Sequence, residues 1–345
     1  MKQIYSLVTL SAVVASALVL AQVHANPPTP AKASGAFVVK GLRWETSFGA
    51  AKALAAREKR PILHLQSFGK PGDPMACTNT RILTETLLND AEFKELAQGS
   101  VLSWDLVREA AKVTIDLGNG RKLKRTLRGN TCLYVLRPDG TVVDAFPGVY
   151  VVKDLLPELR ESLALVDKSP KEVAEWHSQQ AVNGRVILRS ARIPLAASKA
   201  GIETPLLEFP ASDEAAGKLR MGGRGGFARA SLPPFGSMTA QQKFEFAASQ
   251  MIDFSSIPMP PSVESELTGV ETLETPEERG RELIRLESSV NLTNLRRVIH
   301  FYLAAQEAAV TPEQAKPVVF EKILHIDYRD PYLGLNHIKL PGTMD

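Results

Sequence analysis

Cysteine is nearly absent from this chain: Cys77 and Cys132 are the two it has in 345 residues. That excludes a scaffold held by several disulfides, though not a single bond between the pair. Aromatic residues are scarce, at 6%, and none interleave the basic stretches as stacking on single-stranded nucleic acid requires. A charge excess is lacking too. With 41 basic and 38 acidic residues and a formal charge of +3, the chain does not read as a nucleic-acid binder. No His-Glu-x-x-His, Cys-x-x-Cys or Gly-x-Ser-x-Gly occurs, so no motif points to a metal, a dithiol or a serine nucleophile. Met221-Gly222-Gly223-Arg224-Gly225-Gly226 lacks the Lys-Ser or Lys-Thr of a phosphate cradle, and no cofactor is expected. His64, His177, His300, His325 and His337 are scattered and read as surface or packed side chains. Past residue 20 no apolar run is long enough to cross a bilayer.

What is present begins with an export signature. Lys2 precedes an uncharged apolar run from Ile4 to Leu20, followed by Ala21-Gln22-Val23-His24-Ala25. Cleavage after Ala25 is expected, giving a periplasmic or secreted protein with no stable membrane anchor. Residues 26–35, rich in Pro and Ala, read as a flexible leader. The 44% hydrophobic content supports a packed core beyond it.

From residue 36 to 166 the pattern alternates strands and helices. Phe37–Trp44 reads as a short strand, Phe48–Glu58 as an Ala-rich helix stopped before Pro61, and Ile62–Phe68 as an apolar strand. Helices follow Cys77 and span 91–97, and 101–106 reads as a strand. Val113, Ile115 and Leu117 alternate with polar residues, Gly118-Asn119-Gly120 turns, and Leu123–Leu127 returns, which is a hairpin signal. Two strands, 132–136 and 142–146, flank Pro138-Asp139-Gly140. Asp154 is expected to cap a helix whose apolar face is Leu155, Leu156, Leu159, Leu163 and Val166.

This order over Gly41–Val166 resembles the thioredoxin fold, an α/β domain with a central mixed sheet flanked by helices. Lys59-Arg60-Pro61-Ile62-Leu63 is similar to the family's approach to its central strand. Cys77 lies eleven residues before Leu88 and thirteen before Asp90, which matches the family's first active-site cysteine. The second cysteine of the family then falls on Thr80. Arg128-Gly129-Asn130-Thr131-Cys132-Leu133 is similar to the segment holding the family's cis-proline, with Thr131 in the proline's place. The hairpin from Val113 to Leu127 stands where a helix is usual.

With Cys77-Thr78-Asn79-Thr80 there is no resolving cysteine in the loop itself, so ordinary dithiol turnover by the Cys-x-x-Cys route is excluded. The resemblance leaves monothiol chemistry, with a Cys77 thiolate favoured at a helix N-terminus, Thr80 donating to it, and the backbone at Thr131 positioning a partner's sulfur. A peroxiredoxin-like peroxidase needs Thr or Ser three residues before its cysteine, where this chain has Pro74. Cys132 stays open to three readings: a structural disulfide with Cys77, contributing about 4 kcal/mol, a reversible redox couple, or a free thiol. Arg121, Lys122, Lys124, Arg125 and Arg128 either attract an anionic substrate or lipid head groups or simply blunt a sheet edge. The expectation is an exported binding or accessory module of the cell envelope with a protein or small-thiol partner, and a Cys77 monothiol redox protein is the alternative.

Residues 167–345 match no family pattern and read as a mostly helical or α+β second domain. Strands are expected at 186–195 and 206–209, a Gly/Pro-rich loop at about 217–237, and helices after Thr239 and Thr275-Pro276 and over 294–308 and 317–326. Thr239 with Gln242 has the form of a capping box, ahead of a stripe of Phe244, Ala247, Ala248, Met251 and Ile252.

Overall fold

The computed structural model describes residues 35–127, 129–183, 235–249, 284–285, 287–306, 308–331 and 333. The export segment, the strands at 186–195 and 206–209, the loop before Phe235, Met251, Ile252 and the helix after Thr275 lie outside the described residues.

The first half forms a mixed sheet. β1 (Ala36–Val39) and β2 (Leu42–Glu45) are an antiparallel hairpin, where a single strand was expected. Lys40 and Gly41 take φ of 51° and 83°, reversing the chain between them. α1 (Phe48–Glu58) is capped by the Ser47 hydroxyl and ends in left-handed Lys59 before Pro61. β3 (Ile62–Phe68) is followed by α2 (Thr78–Glu85), and α3 (Ala91–Gln98) is capped by the Asp90 carboxylate. β4 (Val101–Arg108), β7 (Thr131–Leu136) and β8 (Val142–Pro147) complete the sheet in the order β1-β2-β4-β3-β7-β8. β2, β4 and β3 run parallel, while β7 and β8 return antiparallel. β5 (Ala111–Asp116) and β6 (Lys122–Leu127) form a separate two-stranded ribbon.

All seven residues of β3 are buried, so both faces of the sheet are covered. On one face Leu63, Leu65, Leu133 and Val135 pack with Leu155, Leu156 and Leu159 of α4 (Val152–Ala164). This helix starts two residues before Asp154, and its N-cap is Val151 with no side-chain bond, contrary to the expected Asp154 cap. The Val151 N–H is instead taken by the Ser288 hydroxyl at 2.9 Å, and Asp154 sits buried in the first turn, where a carboxylate suits the positive helix end.

The other face joins the two halves of the chain. Ile62, Phe68, Tyr134 and the α1 alanines share one cluster with Phe244, Val298, Ile299, Val319 and Phe320. Those residues come from α6 (Ala240–Ser249), α7 (Arg296–Ala304), and α8 (Pro312–Pro317) with its extension. α7 packs against α5 (Pro170–Asn183), α6 and β8. The Thr239–Gln242 box forms, with Gln242 accepting from the Thr239 N–H at 2.8 Å. The helix expected at 294–308 is a π turn over Asn291–Leu295 leading into α7. α8 begins at Pro312, earlier than expected, because Thr311 and Gln314 form a capping box. Pro317 lies inside it, and the missing N–H is followed by a π turn at Val318–Ile323. Among the described residues no helix is long and apolar enough to cross a membrane.

Candidate functional site

The loop before Thr131 lies against the Cys77 loop. The Phe68 carbonyl accepts from the Cys77 N–H at 3.0 Å, and Asn79 donates to the Asn130 side chain at 2.8 Å. Gly129, at φ 145°, faces Cys77 so closely that a Cβ there would stand 2.7 Å from the Cys77 Cβ and 3.0 Å from that of Phe68. Gly129→Ala is therefore expected to cost about 2–3 kcal/mol by overpacking a rigid loop, which a lowered urea midpoint would report. An unchanged midpoint would mean the two loops separate freely.

Cys77 does cap α2, accepting from the Thr80 N–H at 3.4 Å, but it is not the expected thiolate. The side chain is buried, and this desolvation pushes the thiol pKa up against the lowering by Thr80, Asn79 and Arg81. The hydrogen bonds run the same way. The Thr80 hydroxyl lies 3.1 Å from the Phe68 carbonyl, which can only accept, so its single hydrogen goes there. At 3.1 Å from the same oxygen, Cys77 Sγ is then the donor and keeps its proton.

Cys132 is buried on β7, opposite Gln66, and burial raises its thiol pKa far above the usual range. No disulfide joins the two cysteines, although they belong to one apolar cluster. Thr131 is joined by trans peptides. Its N–H goes to the Asn130 side chain, while its carbonyl and hydroxyl both pair with Gly148. The backbone expected to hold a partner's sulfur is already engaged.

The second half closes over this loop. Glu287 accepts from Asn79 at 3.1 Å, Phe320 packs on Phe68 with ring centroids 5.8 Å apart, and Asn291 donates to the Val149 carbonyl at 2.8 Å. Burial also raises the Glu287 carboxyl pKa.

A second constellation, missed in the sequence reading, lies behind β8. Asp144 is buried and bidentate with Arg296 of α7, at 2.6 and 2.8 Å. Ser162 donates to the same carboxylate at 2.5 Å and the Ala145 N–H at 2.8 Å. His177 of α5 donates from Nε2 to the Val143 carbonyl, which leaves Nδ1 to accept from His300 Nδ1, both at 2.8 Å. Trp176 stacks edgewise on both rings. No family model, curated protein or solved structure matches this chain.

Asp144, His177 and His300 place ligating atoms within 4.8 Å of one another. The donor set nevertheless does not fit a metal ion. Both carboxylate oxygens carry two hydrogen bonds, both His177 nitrogens are engaged, and the Arg296 cation occupies the position of the charge a metal would supply. A cavity of about 500 Å³ opens beside His177, lined by Val142, Val173, Leu303 and Val310 with Arg137 and Lys171. Arg137 is already spent on the Lys168 carbonyl and Thr141, so the space offers volume with little polar recognition. The available signals were Asp144 inside an apolar strand, which demands a partner, and Arg296 four residues from His300 on one helix face.

Proposed function

We propose that this chain is an exported thioredoxin-like binding or accessory module without thiol turnover. The sheet supports the fold reading: three parallel strands, β2, β4 and β3, are extended by two antiparallel ones, and Cys77 begins the helix after the central strand. The observation that carries the functional reading is the state of Cys77, a neutral donor to Thr80 held in the core. A nucleophilic cysteine has to be a thiolate within reach of its substrate. Burial of the side chain and its raised thiol pKa support the reading that Cys77 meets neither condition, as does the contact of Glu287, Asn291 and Phe320 with the neighbouring loops. The partner, expected to be a protein of the cell envelope, therefore engages another surface.

Thiol titration with an aromatic disulfide reagent tests this. In buffer at neutral pH both cysteines should stay unreactive, while two equivalents should react in denaturant. Rapid reaction of one thiol in the native protein, mapped to Cys77, would overturn the binding reading in favour of the monothiol one.

A further inference from the structure

We propose that the β5–β6 ribbon is a peripheral membrane-docking element whose tip enters the interface of an anionic lipid surface. The ribbon pairs with itself, and among the described residues it makes no extensive contact with another helix or strand, although Ala111 at its base lies against the core. With six-residue strands it is about 20 Å long. Two-stranded ribbons are marginal in water without a covering surface. Its register, Val113 to Arg125 and Ile115 to Leu123, sets Val113, Ile115, Leu117 and Leu123 on one face. Lys112, Lys122 and Lys124 lie on the other face. Gly118, Asn119 and Gly120, all left-handed, close the turn and leave the tip narrow.

Two observations select the occupant. Ile115 and Leu117 are 44% and 60% exposed, which edge-blunting by Lys and Arg does not explain. The segment 111–127 holds five basic residues and one acidic, a net charge of +4, while the whole chain carries +3, so the remainder sums to −1. An aliphatic tip collared by the molecule's entire charge excess matches an anionic bilayer, where cations meet head groups and aliphatic side chains enter the acyl boundary. Arg121 and Arg125, on the apolar face, have stems long enough to keep their heads at the surface. The segment contains no aromatic side chain of the kind that anchors protein interfaces.

Leu117→Trp in the full chain reports on this tip directly. Its fluorescence above the wild-type background should be quenched by brominated acyl chains in vesicles of phosphatidylcholine plus phosphatidylglycerol, but not in phosphatidylcholine alone. Adding Lys122→Gln, Lys124→Gln and Arg125→Gln should weaken the quenching association about 100-fold. The three cations are exposed, so the variants should melt as wild type does. Because the probe is local, the apolar segment 4–20 cannot mimic the signal. Absence of extra quenching, equal quenching in both vesicles, or ribbon-dependent capture of a protein without vesicle association would each overturn the proposal.

Discussion

As the pH falls below about 6.5, folding stability should drop, by roughly 1.4 kcal/mol per pH unit for buried His64 and further for buried His177 and His300. Burial pushes His64 down to about 3, with the nearby Lys316 cation adding to the shift. His177 and His300 are lowered chiefly by burial, which outweighs the attraction of Asp144. All three are thus neutral in the fold, whereas the unfolded chain protonates them near 6.5. The unfolded state binds more protons, so the stability is fully present above that pH and is lost as the pH falls toward the folded values. His64 by itself gives about 1.4 kcal/mol per pH unit, against a typical total of about 5–15 kcal/mol, and His177 and His300 add to the loss in the same direction.

Glu158 and Glu287 act in the opposite sense, since burial raises their pKa values and the folded state protonates first. Their effect sets in at the raised folded values, above 4.5, and so offsets part of the histidine loss as the pH falls toward 4.5. Asp144, held well below its usual range by Arg296 against the cost of burial, adds a further loss below 3.8. Urea denaturation at a series of pH values measures the slope. His64→Gln should flatten it by about 1.4 kcal/mol per pH unit. A stability that stays level from neutral pH to pH 5 would mean these rings are not buried neutral.

Arg296→Met should cost about 3–5 kcal/mol, because it strands the Asp144 carboxylate away from water. The guanidinium also donates to the Ala145 carbonyl and lies 4.0 Å over the Phe146 ring, so its loss loosens α7 from β8. Asp144→Asn should cost a similar amount by taking the bidentate partner from the arginine and leaving it the Glu158 carboxylate at 3.7 Å in the same apolar surroundings. The double variant should lose clearly less than the two single losses added together, since it removes both charges. Denaturant melts of the four proteins give the coupling directly. Additive losses would show that the two side chains do not depend on each other.

The local rules were readable in advance. The Ala-rich run stopped before Pro61, the Thr239–Gln242 box, the Gly118-Asn119-Gly120 turn and the alternation in β5 and β6 each act within a few residues, and each element formed where its chemistry placed it. The missed Thr311 cap was equally local, with Pro312 at the first helical position and Gln314 closing the box.

The sequence alone also determined that no CxxC turnover is available, because Thr80 stands where a second thiol would be. Only the tertiary structure decided the ionisation of Cys77. A helix N-terminus favours a thiolate, yet desolvation by burial outweighs it, and the neighbouring Asn79 is held by Glu287, more than two hundred positions away. The same holds for Asp144, Arg296, His177 and His300. Burial and partner choice are properties of three-dimensional proximity, so a carboxylate, a guanidinium and two imidazoles scattered along the chain become one network only after α5 and α7 pack on β8.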